Sequence, residues 1–142
     1  MFKYAIIRSM KHIKQFIIAF IVFMIIDLLW LGVFAWPIYK HFLGPFLQTP
    51  PNWPVAVLFY ILFIIGMIVF VIDEAITQSN IKLAFKKGAL FGFFTYMTYE
   101  LTNWAVIANW PVGIVPIDIL WGTVLSASVC GLTTFIYLKL NK

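Results

Sequence analysis

Four long apolar runs decide what this chain can fold into, because all ten of its lysines and arginines fall at or beyond their ends. The first run covers residues 13–36 and stops before Pro37. The second covers 55–72, the third 88–107 and the fourth 113–138. A helix crossing a bilayer needs about 20 mostly apolar residues, and each run is of that order.

Water is the wrong solvent for such a chain. Its 142 residues are 63% hydrophobic and 11% charged, with a mean hydropathy of +1.00. Soluble domains are roughly 45–50% apolar and about 25% charged. The expected fold class is an all-α membrane protein, a four-transmembrane-helix bundle forming one integral domain over residues 1–142. A β-barrel would need alternating apolar positions, not continuous runs. The basic stretch before the first run looks like the start of a secretory leader. That run is too long for one and lacks a small-residue cleavage site, so it is expected to be retained.

The basic residues also give an orientation. Lys3, Arg8, Lys11 and Lys14 precede the first run; Lys82, Lys86 and Lys87 lie between the second and third; Lys139 and Lys142 end the chain. The two remaining loops hold only Lys40. Cytoplasmic loops carry the excess of Lys and Arg, so both termini are expected in the cytoplasm. Trp36, Trp53, Trp104 and Trp110 then gather at the outer interface, where indoles prefer to lie. Between residues 36 and 53, the prolines and glycine predict turns, with a short interfacial helix near 38–43. The formal net charge of +5 sits at run ends, not on a nucleic-acid-binding face. Cys130, the one cysteine, reads as a small packing residue.

Five acidic residues remain. Asp73 and Glu74 stand at the end of the second run and are expected in water. Asp27, Glu100 and Asp118 lie inside runs, where a charge costs about 2.5–3.5 kcal/mol on insertion scales. At a rise of about 1.5 Å per residue, Asp27 and Glu100 lie roughly 16–20 Å from the basic end. Asp118 enters from the other side and lies on the order of 8 Å deep. All three therefore fall in the outer half, and a shared site is expected. Helical spacing supports it: Gly92, Tyr96, Glu100 and Asn103 share one stripe, and Asp118, Gly122, Ser126 and Cys130 another. Small residues at such spacing let helices approach closely. Asp27 and Trp30 share a face of the first helix, and Trp121 stands in the fourth. The segments "DLLWLG" and "DILWGT" echo each other as D-x-L-W, a match too short in so biased a composition to establish a repeat.

No lysine or arginine lies at that depth to pair with the acids. Desolvation and mutual repulsion both favour the neutral form, so either protons or a cation must sit among them. The competing reading is structural: a protonated acid hydrogen-bonds Asn103, Tyr96, Tyr99, Thr102 or a helix carbonyl. Interhelical bonds of that kind average only about 0.6 kcal/mol, little beside the insertion cost. His12 and His41 fall near opposite membrane faces, so they cannot share a metal; no resident metal or cofactor is expected, the alternative being a hard divalent ion held by carboxylates and an amide oxygen. Ser126 and Ser128 have no histidine at their depth, which argues against a serine hydrolase.

With "DLLWLG", "PNWPVAVLFY", "YELTNWA" and "VPIDILWGTVLS" in view, the chain resembles a family of small bacterial predicted membrane proteins, domain of unknown function 2177. The similarity runs from about residue 13 to 136. The family usually has Asp where this chain has Glu100, which keeps the charge on a longer arm. Carried over, the motif positions are Asp27, Trp30, Asn52, Trp53, Tyr99, Glu100, Thr102, Asn103, Asp118, Trp121 and Gly122. The resemblance implies a bacterial inner-membrane protein with four helices. It implies no activity.

The functional expectation is a small transporter or proton- or cation-coupled permeation unit. Its candidate site is Asp27, Glu100, Asn103, Asp118, Tyr96, Tyr99, Trp30 and Trp121. The alternatives are a lipid-modifying intramembrane enzyme and an accessory subunit of a membrane complex. Expected partners are the lipid bilayer, a second copy of the chain, and a small cation or lipid head group.

Overall fold

The structure, a computed structural model, describes residues 2–141, with side chains from Met10 onward. The side chains of Lys3, Arg8 and Lys142, counted above for orientation, lie outside that part. Among the described residues every regular element is helical. Three helical stretches are long and apolar enough to cross a membrane: Met10–Phe46, Trp53–Thr77 and Ile114–Leu140. A fourth helix, Ile81–Val106, is as long. It is less apolar because Lys82, Lys86, Lys87, Glu100 and Asn103 stand along it.

The first stretch does not stop at Pro37. Helix α1 (Phe2–Trp30) passes through a π-helical turn, Leu31–Ala35, into α2 (Trp36–Leu43). Inside an ordinary α-helix a proline ring strikes the carbonyl four residues back. For Pro37 that carbonyl belongs to Val33, which lies in the widened π turn, and there the bonding partner moves to i−5. The short helix expected near 38–43 is therefore the continuation of the first span. A 3-10 turn, Gly44–Phe46, ends it.

Asn52 opens α3 (Trp53–Met67), its side-chain oxygen accepting from the Val55 amide at 3.4 Å, with Pro54 in the first turn. A second π turn, Ile68–Ile72, leads into α4 (Asp73–Thr77). After a reversal at Ser79 (φ 50°), Asn80 caps α5 (Ile81–Val106) by accepting from the Leu83 amide at 3.0 Å. A turn follows, and α6 (Ile114–Leu140) completes the bundle.

Helices α5 and α6 form the closest pair, and glycine is the reason. A Cβ on Gly88 would come within 2.7 Å of the Ser126 carbonyl oxygen, and one on Gly92 would run into the Gly122 carbonyl. Helix α1 packs on the other side of α6. The main core, around Phe23, Ile64, Met67, Ile72, Leu125 and Val129, joins all four long stretches toward the basic end. A separate cluster at the other end packs Trp110, Ile114 and Val115 against Ile38, Tyr39 and Phe42. Helix α3 is peripheral. Its half away from the basic end stands clear of α5, and the Phe63 ring spans the gap to Phe91 and Tyr96.

At the basic end, Asp73 and Glu74 are only partly in water. Lys11 pairs with Asp73 at 2.6 Å, and Gln15 donates to the same carboxylate at 3.1 Å. Lys87 pairs with Glu74. These contacts tie α1 and α5 to α4.

Candidate functional site

Each acid within the apolar runs meets a donor from another helix or turn. Asp27, on α1, accepts from the Tyr60 hydroxyl of α3 at 2.9 Å. Asp118, in the second turn of α6, accepts from the Tyr39 hydroxyl of α2 at 2.9 Å. Glu100, on α5, accepts at Oε2 from the Trp110 indole at 3.0 Å. The polar neighbours expected from the sequence (Asn103, Thr102 and the tyrosines of α5) are not these donors. Thr102 bonds back to the Thr98 and Tyr99 carbonyls, and Asn103 lies half-buried beside Tyr99.

Local backbone geometry aims these donors. The π turn carries the first helix past Pro37 and so places Tyr39 above α6. Asn109 takes φ 61°, a left-handed conformation that asparagine tolerates better than most residues. That reversal folds Trp110 back against α5, where it is buried and reaches Glu100.

All three acids are buried: Asp27 is 7% exposed, Asp118 6% and Glu100 0%. They are not equally close. The Glu100 carboxyl lies within hydrogen-bonding reach of Asp118. Its Oε1 is buried and finds no donor among the described residues. Two carboxylates side by side in a low dielectric repel each other. Asp27 stands apart, with Tyr96 facing both it and Asp118. The Tyr96 ring lies on the surface of Gly122, where a Cβ would collide with it. Among the described residues no three His, Cys, Asp or Glu side chains converge as metal ligands would.

A cleft of about 420 Å³ opens beside the pair, lined by Phe59, Phe63, Thr95, Tyr96, Tyr99 and Asp118. It occupies the gap between α5 and the half of α3 away from the basic end. Phe59 and Tyr99 are about half exposed at its rim, and the buried Asp118 forms its floor. Trp30 and Trp121 stack with ring centroids 4.3 Å apart and planes 11° apart. The Trp30 indole nitrogen is buried, finds no hydrogen-bond acceptor among the described residues and lies near the Tyr39 hydroxyl.

The family described as "Predicted membrane protein (DUF2177)" matches residues 12–135. The chain belongs to that family. Neither the curated proteins nor the solved structures hold a match to it. Within this DUF2177 protein the structure thus brings Glu100, Asp118, Tyr96 and Tyr99 together and leaves Asp27 one ring away. It adds Tyr39, Tyr60, Trp110, Phe59 and Phe63. Of these, Trp110 carried a sequence signal, as an aromatic at the end of a span, but that signal pointed to the membrane interface and not to Glu100.

Proposed function

We propose that the chain is a four-span protein of the bacterial inner membrane, with both termini cytoplasmic, that acts as a proton- or cation-coupled permeation unit. In this reading α5 is the fourth span, and its polar face is turned to α6. The Glu100–Asp118 pair, sharing one proton as other paired carboxyls do, is the coupling site, and Asp27, reached across Tyr96, is a second station for the proton. Trp30 and Trp121 close the site from the side of α1.

One observation carries the reading: the fully buried Glu100 carboxyl, one of whose oxygens meets no donor among the described residues, lies beside Asp118, which lines an accessible cleft. Intramembrane acids that face a bundle interior mark ion pathways and proton relays. As structural glue the pair would be a costly design, since interhelical hydrogen bonds average only about 0.6 kcal/mol and an acid at that depth costs about 2.5–3.5 kcal/mol to insert.

The test is proton movement into proteoliposomes carrying an internal pH dye under an imposed membrane potential. Wild-type protein should acidify the lumen faster than protein-free vesicles. Glu100→Gln and Asp118→Asn should bring the rate down to the vesicle background, and Asp73→Asn should leave it unchanged. Equal rates in wild type and both site variants would remove the proposal.

A further inference from the structure

We infer that the cleft between α3 and α5 binds a hydrophobic organic cation, with its charged centre set against Asp118 and its body against the rings of Phe59, Phe63, Tyr96 and Tyr99. This names a substrate class for the site proposed above and rests on that reading.

The lining decides the class. Asp118 is the one charged side chain among the described lining residues, and no lysine or arginine lies at its depth. An anion would meet a carboxylate and no cation. A neutral apolar molecule would cover the acid and leave its charge uncompensated, which low-dielectric surroundings penalise. A small inorganic cation such as Mg²⁺ or Ca²⁺ wants six or more oxygen ligands, and four of the six lining residues offer ring faces. Those faces attract organic cations, most strongly where water is excluded. The volume, about 420 Å³, lies in the range of roughly 300–1,000 Å³ usual for small-molecule sites.

Access is from the side. Outer α3 residues such as Val55, Leu58 and Leu62 are exposed, so the rim opens where lipid would lie and not toward water. An apolar cation dissolved in the bilayer reaches Asp118 by passing Phe59 and Tyr99.

Binding also moves a proton. The titratable groups facing Asp118 are Tyr39 from α2 and Tyr96, Tyr99 and Glu100 from α5, with Asp27 of α1 beyond Tyr96. With one proton shared, the pair carries a single negative charge. When a monovalent cation settles against Asp118, the shared proton leaves to water. Both carboxylates are then ionised, the cation restores the net single negative charge, and Tyr39 and Trp110 go on donating.

Tetraphenylphosphonium is a suitable probe, with tetraphenylborate as the same shape in the opposite charge. Titration calorimetry of the purified chain in a non-ionic detergent, in two buffers of different protonation enthalpy, counts protons released per cation. Saturable binding with proton release is expected, together with no saturable binding of tetraphenylborate. Asp118→Asn should weaken phosphonium binding roughly tenfold or more, the equivalent of about 1.4 kcal/mol. Tyr99→Leu, on the exposed rim where folding is not at stake, should weaken it several-fold. Equal binding of the two probes, or binding unchanged in both variants, would overturn the inference. Phosphonium binding without proton flux would end the permeation reading and spare this one; flux without binding would do the reverse.

Discussion

At the scale of single residues, Glu100 is the group on which the site turns. Its Oε2 accepts from the Trp110 indole N–H, and its carboxyl lies beside Asp118. A glutamine there satisfies both oxygens' neighbours: the amide carbonyl accepts from Trp110, and the amide nitrogen donates to Asp118. Glu100→Gln should therefore keep the thermal midpoint of the detergent-solubilised protein at or above the wild-type value while proton flux is lost. Trp110→Phe should lower stability by about 1–3 kcal/mol, because it leaves a buried oxygen unpaired; a thermal melt monitored by helical circular dichroism reads both. The acids themselves were legible in the sequence, since charge inside an apolar run is costly and conspicuous. Their donors were not. Tyr39, Tyr60 and Trp110 lie 79, 33 and 10 residues from the acids they serve, and nothing local distinguishes a tyrosine that donates across the bundle from one that anchors at an interface.

At the scale of elements, two devices set the geometry. The first is the glycine seam of α5 and α6, visible in the sequence from its four-residue spacing. Gly92→Ala should push the helices apart and cost about 1–3 kcal/mol, as overpacking does. Gly32→Ala, where nothing lies within 4 Å of the added carbon, should be tolerated in the same melt. A result in which both variants melt alike would mean that the seam does not hold the helices. The second device is the π turn at Leu31–Ala35. No residue type marks such a turn, so a first span ending at Pro37 was the natural expectation. Without the turn, Tyr39 could not be placed above Asp118 as a continuation of the first helix.

At the scale of the whole molecule, the helices gather their apolar core toward the basic end and leave the other end looser, where the cleft and the acids lie. Such a layout needs the basic end in the cytoplasm if charge bias governs insertion. Single cysteines in a Cys130→Ser background test this in intact cells with a membrane-impermeant maleimide. A cysteine at Asn109, an exposed position, should label from outside, and one at Ser79 only after lysis. Run lengths and charge bias made the bundle legible without coordinates. Which helix would stand aside was not legible, because α3 is apolar on every face and its periodicity says nothing about neighbours. The shared proton between Glu100 and Asp118 is the central claim, and infrared difference spectroscopy reads it most directly. The predicted result is a protonated-carboxyl band in the wild-type protein that loses the same component in Glu100→Gln and in Asp118→Asn and keeps it in Asp73→Asn. A band that neither site substitution alters would contradict it.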